Sequence, residues 1–422
     1  KITLTSHLGH IEIEVSQLEK NFQDTHTKVM TDTTAVTYTH NLVPEIDSSV
    51  TTIKAHSSMT GRYALSATYA AGERKNKDSN AKADTVNGAV DFTYIPTKDV
   101  TLAVKYRHYE VTNDAPATVT DVGLGGPTTY SVKQALSYKK DGLSGTVRYR
   151  ASQNAVWKGE VAWENLSREN AAQWGLDDTI SRTTLRLGLN YRMSNRMLLR
   201  GDVAYQKVNA SGGSGTDNTY PDSAATARGI ITWTPAAWFN ALVSGAVAQE
   251  ERSNMAMPFT GERKTDRSRV LASMTFLAGK RTAVTPSYAF FQNKDNQPLA
   301  YRDLASGAIT AEGGVPYADT SQVASLAVTH SVSDVMTLGV DAGKSWSRGS
   351  WQNSGTVPGS TGIAEISNLH LIETFVGCNM HLQYSKPLGT DFRYQYRRLN
   401  DVADNSQDGT NQILMATLVY SW

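Results

Sequence analysis

The sequence predicts an all-β fold: a closed, antiparallel, transmembrane β-barrel of about 20 strands, or about 18, with short periplasmic turns and long extracellular loops. Three observations predict it. From about Ser49 onward, apolar and polar residues alternate with period two over runs that match the roughly 9 to 11 residues needed to cross a tilted bilayer. Tight turns alternate along the chain with longer polar segments. The chain closes on a strand whose alternate residues Leu414, Ala416, Leu418 and Tyr420 lead to a terminal aromatic, Trp422.

The alternation is clearest in the middle and at the end of the chain. Leu102, Val104 and Tyr106 share one face, and Thr101, Lys105 and Arg107 the other. Leu185, Leu187, Leu189 and Tyr191 oppose Thr184, Arg186, Asn190 and Arg192. Leu199, Val203 and Tyr205 oppose Arg200, Asp202 and Gln206, while Phe392, Tyr394 and Tyr396 oppose Asp391, Arg393, Gln395 and Arg397. A soluble sandwich also alternates, with its apolar face inward. Here the polar face carries full charges strand after strand, which suits a water-filled lumen and leaves the apolar face for lipid.

Tight turns are expected near residues 59–61, 96–99, 152–154, 194–195, 235–236, 279–280, 333–334 and 387–389. Longer loops are expected at 72–82, 113–129, 168–179, 209–223, 251–266, 293–321, 348–367 and 400–410, and these define the extracellular side. The hairpins give about 17 strands from Ser49 onward, with others near residues 34–41 and 10–18, the latter with a partner beside it. A single barrel domain over 1–422 follows, with 1–32 as an N-terminal strand or periplasmic segment. The last strand is expected to pair with a strand from the N-terminal fifth of the chain, with Trp422 at the periplasmic rim.

Composition agrees. Of 422 residues, 19 are Tyr, 9 Phe and 8 Trp, an aromatic balance suited to a wet interface. Mean hydropathy is −0.39, and no apolar run approaches the roughly 18 residues of a membrane-spanning helix. A net charge of +1 suggests no nucleic-acid partner. The single cysteine, Cys378, excludes an internal disulfide, and the absence of C-x-x-C-H excludes covalent c-type haem on this chain. Lys1-Ile2-Thr3 opens into polar sequence with no signal peptide, as expected of a mature exported chain.

The sequence offers little for chemistry. The nine histidines, with His7 and His10 closest to a ligand spacing, lack a third ligand at metal spacing. Acidic runs such as Asp217, Asn218 and Asp222, or Asp401, Asp404, Asn405 and Asp408, lack the order of a calcium loop. Gly-rich stretches at 211–215 and 123–126 lie in expected loops, away from any strand-to-helix turn, so they are not phosphate cradles. No hydrolase motif occurs, and the chain is read as no enzyme. The lumen-facing candidates are Lys105, Arg107, Arg148, Arg150, Glu160, Glu164, Arg186, Arg200, Asp202, Arg393 and Arg397. Their mixed signs argue against a channel selective for anions alone.

Several stretches resemble the MtrB/PioB family, the porin-like subunit of porin–cytochrome electron conduits in metal-reducing bacteria. Pro44-Glu45-Ile46-Asp47, followed by a Ser/Thr-rich strand and by the run from Gly61 to Tyr69, is similar to that family's early strands. Tyr130-Ser131, the run from Gly142 to Arg150, the run from Gly159 to Glu169, and the strands at 185–191 and 203–205 are similar to its middle strands. The chain departs from the family in being shorter than its longest members and in lacking the N-terminal C-x-x-C that some carry.

The resemblance implies a sheath in the cell outer membrane. It would enclose a multihaem c-type cytochrome, dock a second one outside, and serve extracellular electron transfer. No cofactor is expected to be bound covalently by this chain, and haem c is expected in the partner. Twenty strands about 4.8 Å apart and tilted near 40° enclose a lumen of about 25 to 30 Å, enough for an extended multihaem protein. The competing reading is a substrate-permeable outer-membrane porin or uptake channel.

Overall fold

A computed structural model of the protein describes residues 1–23, 45–58, 61–77, 80–123, 126–212, 221–255, 261–385, 387–403 and 408–420. The chain divides into two compact units. The first comprises Lys1–Arg150, Lys158–Arg186 and Gln206–Tyr220. It holds β1 (Ile2–Leu8), β2 (Ile11–Phe22), β3 (Ile46–Ser57), β4 (Tyr63–Asn76), β5 (Lys82–Thr97) and β6 (Val100–Asp114). It also holds β7 (Thr118–Gly123), β8 (Gly126–Ser131), β9 (Ser137–Arg150), most of β10 (Ala155–Glu169) and the first half of β11 (Thr179–Ser194). The second unit comprises Ala151–Trp157, Leu187–Tyr205 and Pro221–Trp422. It holds most of β12 (Met197–Ser211), then β13 (Ser223–Ala236), β14 (Phe239–Met255), β15 (Gly261–Ala278), β16 (Thr282–Arg302) and β17 (Ile309–Ser333). β18 (Met336–Trp351), β19 (Leu369–Ser385), β20 (Leu388–Asp401) and β21 (Gly409–Tyr420) complete it.

Nineteen strands form one antiparallel sheet, and β7 and β8 form a separate hairpin. Seventeen of the nineteen run from β3 onward, as the hairpin spacing anticipates. The partner of the strand expected near 10–18 is β1, in register Leu8↔Ile11 to Ile2↔Gln17. The strand expected near 34–41 lies outside the described residues, as does Trp422.

Period two sorts the side chains onto two faces. In the first unit Tyr63, Leu65 and Ala67 of β4 stand beside Tyr94, Phe92 and Val90 of β5. These stand beside Leu102, Val104 and Tyr106 of β6, and then Val147, Gly145 and Leu143 of β9. The other face of the same strands carries Ser66, Asp91, Lys105 and Ser144 in one row. In the second unit a single apolar row crosses eight strands: Phe239, Phe276, Val284, Val328, Val340, Cys378, Tyr394 and Leu414.

These apolar residues are not packed against a second layer. Val340 is 53% exposed and Leu414 79%. Among the described residues only Ala171, Ile180, Val208, Ala241, Tyr301 and Val315 are buried hydrophobics. A soluble sandwich would bury this face, whereas here it forms a continuous apolar surface that water would penalise at about 25 cal/mol per Å². Hydrocarbon is the medium such a face fits.

The connections depart from expectation at the long-loop end. The stretch 293–321, read from sequence as the longest loop, is strand on both arms: β16 runs 21 residues and β17 runs 25, leaving 303–308 as the turn. Above the bilayer both faces of a strand can be polar, so the alternation that identifies strands elsewhere fades. Likewise β14 continues to Met255, β4 to Asn76 and β20 to Asp401, and 113–129 holds β7 and the start of β8, which runs on to Ser131. One helical turn, Ala171–Trp174, sits in the loop at 168–179, and a four-residue helix, Ile363–Ile366, in that at 348–367. The short turn expected at Pro235-Ala236 falls after Ala236, because a register shift between Trp233 and Ala236 lengthens β13.

The described partner of β21 is β20, from Leu388↔Tyr420 to Leu399↔Gly409, and β21 is exposed along its whole length. The expected second partner, from the N-terminal fifth, is not among the described pairings.

One glycine is held by a close approach. The ring of Phe375 lies over Gly343, and a Cβ there would also meet the carbonyl oxygen of Ala324 at 2.7 Å. The aromatic covers its glycine partner across the strands. Gly343→Val should therefore cost about 1–3 kcal/mol by overpacking, and Gly343→Val with Phe375→Ala should recover part of it. Urea unfolding in lipid checks both; a neutral single variant would contradict the packing.

Candidate functional site: the charged face

The charged face is built by the strands that build the apolar one, from the alternate residues. In the first unit Lys105 and Arg107 lie opposite Leu102, Val104 and Tyr106 on β6. Arg107 reaches diagonally to Asp91 of β5, donating to both carboxylate oxygens at 2.8 Å. Arg148 stands beside Thr101, and Arg150 anchors the short-turn end by donating its backbone N–H to the carbonyl of Asp99. Glu160 accepts from Lys158 at 2.9 Å, with Arg186 and Lys105 near enough to act on it electrostatically. Glu164 takes Lys140 at 2.8 Å and Arg182 at 3.7 Å. Lys54 pairs with Glu14 at 3.1 Å.

The second unit repeats the pattern. Asp202 is ion-paired with Arg228, Glu250 with Arg267, and Asp295 with Arg263. Arg397 donates to Glu373 at 3.3 Å, and His381 lies 2.7 Å from Asp391. Arg393 stands between Asn379 and Met415, opposite Phe392 and Tyr394. Sequence reasoning missed Asp91, Lys140, Arg182, Arg228 and Glu373, because a cross-strand partner is known only once the register is.

Each acidic candidate, Glu160, Glu164 and Asp202, is thus matched by a cation. Among the described residues, Lys105, Arg148, Arg150, Arg186, Arg200, Arg269 and Arg393 have no carboxylate within ion-pair distance. The acids named from sequence thus do offset cations, but the cations they meet are mostly ones the sequence reading did not single out. Among the described residues the pairs take up the candidate acids, Asp319 and Asp341 on the same face have no cation within ion-pair distance, and unpaired cations remain scattered over both units. Exposed pairs of this kind contribute roughly 0–1 kcal/mol each, so they matter more for what they neutralise than for stability.

Among the described residues no group of three His, Cys, Asp or Glu is placed to hold an ion. Cys378 is exposed on the apolar face. The acidic runs and Gly-rich stretches singled out from sequence lie partly outside the described residues.

The tall hairpin carries a polar clasp well above the apolar rows. Tyr301 donates its hydroxyl to Glu312 at 2.9 Å, and the same carboxylate accepts the Ser354 N–H at 2.8 Å. Burial, reinforced by Glu312, pushes Tyr301 up to about 12. Burial also raises Glu312, but the Ser354 and Tyr301 bonds outweigh it and hold the carboxyl below the ordinary 4.5. A lowered carboxyl stabilises above its unfolded value, and that contribution is lost as pH falls through the folded value. The protection of the Ser354 amide, its exchange rate relative to an unfolded chain at the same pH, should accordingly hold from neutrality down to about pH 5 and be lost only in stronger acid. Release already at pH 6 would contradict the clasp.

A one-layer antiparallel sheet with an exposed apolar face and a charged face is the arrangement of outer-membrane β-barrels. Solved structures of low sequence identity share the fold. The FrpB iron transporter from Neisseria meningitidis (F5-1 variant) aligns over 99% of this chain and 71% of its own, with 10% identity and a TM-score of 0.51. The copper transporter OprC aligns over 99% and 68%, with 9% identity and a TM-score of 0.52. No curated protein matches the chain in sequence. The family described as "Putative outer membrane beta-barrel porin, MtrB/PioB" matches residues 45–420. The chain belongs to the MtrB/PioB family of outer-membrane β-barrel porins.

Proposed function

We propose that this porin is the sheath of an electron conduit, closed into a barrel of about 20 strands in the membrane and enclosing a multihaem c-type cytochrome. Closure follows from the medium, since lipid cannot satisfy the free edges of a sheet. The observation that carries the reading is the scatter of unpaired cations: Lys105, Arg148, Arg150 and Arg186 in one unit, and Arg200, Arg269 and Arg393 in the other. A selective pore concentrates one sign at a narrow ring, whereas a dispersed lining meets an irregular anionic surface through charge-assisted hydrogen bonds and water. Haem propionates and surface carboxylates are such a surface. The porin supplies no redox group and catalyses nothing; it holds the wire and keeps lipid from it. A second cytochrome would dock at the long-loop end.

A substrate-permeable porin is the second reading, favoured by the same unpaired cations, which would draw anionic solutes. Bilayer conductance separates the two. The isolated chain should give large currents, and the native complex almost none. Large open currents from the native complex, free of haem protein, would favour the permeable porin.

A further inference from the structure

At the long-loop end of the second unit, the apolar face turns basic. On β18 the residues that follow Val340 and Ala342 on this face are Lys344, Trp346 and Arg348. Lys344 stands beside Thr374 of β19, which stands beside Arg398 of β20. Arg348 stands beside His370 and donates its Nε–H to His370 Nε2 at 3.2 Å. The Lys344 ammonium lies 5.5 Å from the centre of the Trp346 ring. A groove of about 390 Å³ opens here, lined by Thr320, Arg348, Ser350, Asn368 and His370.

Two features set this sector apart from the charged face. No residue on this face of β18, β19 or β20 is acidic. Among the described residues, Lys344, Arg348 and Arg398 have no carboxylate partner, although they are exposed. On the same face of the first unit, His108 is answered by Asp141 at 2.8 Å and by Glu110 at 3.5 Å. Height matters as well. Arg348 and Arg398 lie about 10 to 12 residues from their short turns, a climb of roughly 25–30 Å for tilted strands. That equals the lipid-facing band of an outer-membrane barrel, so the guanidinium groups reach the headgroup layer of the outer leaflet. The Lys344 stem runs along apolar surface while its charge reaches upward beside an interfacial tryptophan.

We propose that Lys344, Arg348 and Arg398, with His370 orienting Arg348, bind the phosphate groups of a phosphorylated lipid of the outer leaflet, whose acyl chains lie along Val340, Val376 and Tyr394 below. Planar guanidinium groups suit phosphate oxygens, and a low-dielectric surface on one side strengthens the contact. The inference rests on the membrane placement of the barrel and is independent of what fills the lumen.

The test uses the full chain in nanodiscs, with native mass spectrometry of bound lipid. The probes are a bis-phosphorylated glycolipid and its dephosphorylated form. The unmodified chain should retain the phosphorylated form about tenfold better, as expected for two or three charge-assisted contacts. The Lys344→Ala, Arg348→Ala, Arg398→Ala variant should lose that preference. Arg281→Ala, at the short-turn end, should keep it. A Arg348→Lys, Arg398→Lys variant, which preserves charge if the alanine variant fails to fold, should keep most of it. Millimolar inorganic phosphate should not displace the lipid. Equal retention of both lipids, an undiminished preference in the folded alanine variant, or displacement by inorganic phosphate would each overturn the proposal.

Discussion

Val340→Arg should destabilise the folded chain by about 2–4 kcal/mol, the cost of a cation on a barrel's lipid face near mid-depth. Val340 sits in the apolar row that crosses β14 to β21, four residues from its short turn, with Val328 and Cys378 beside it. The arginine has no carboxylate within reach on that face and lies too deep to extend its head to water. On the other face of the same strand, Ser345→Arg places the same charge between Val323 and Glu373, in the charged environment, and should change stability by less than about 0.5 kcal/mol. The contrast between the two sites reports which face meets lipid. Reversible unfolding in lipid vesicles measures it. Equal costs at both positions would mean that the two faces see the same medium.

A larger effect is expected from removing the chain. If the proposed sheath is right, cells lacking it should lose electron transfer to extracellular acceptors, and the cytochrome proposed to lie inside it should become protease-sensitive and fall in abundance. An extended multihaem protein exposes most of its surface, and the unpaired cations on the charged face are what would otherwise satisfy its carboxylates. Returning the chain with Arg148, Arg186, Arg200 and Arg393 changed to Gln should restore the barrel in the membrane but leave the partner loosely held and extracted by salt. Full electron transfer without the porin would remove the sheath from the account. Unchanged salt resistance in the Gln variant would place the partner elsewhere.

What could be read from the sequence follows from physics that acts within one strand. The period of two needs only local spacing, so Leu185, Leu187 and Leu189 declare their face without knowledge of any neighbour. The number of strands from β3 onward was legible for the same reason, because turns such as Lys98-Asp99 are local. What stayed hidden depends on partners. Asp91 accepts from Arg107 only because β5 and β6 meet with a register shift between Tyr94 and Thr97. Glu164 gathers Lys140 and Arg182 from strands on either side. The charged face reads as balanced from composition, and only the pairing shows which charges remain. The upper arms of β16 and β17 escaped notice because hydrocarbon imposes the alternation and they extend above it. The basic sector at Lys344, Arg348 and Arg398 is invisible strand by strand, since its three cations come from two strands that are neighbours only through β19.

The central claim is that this porin encloses a haem protein. The most direct measurement is the haem content of the complex isolated from native membranes through a tag on this chain. Absorbance of the reduced sample should show c-type haem at several equivalents per porin, retained in high salt and protected from protease until the membrane is dissolved. A haem-free porin, isolated intact and passing large currents, would contradict the claim.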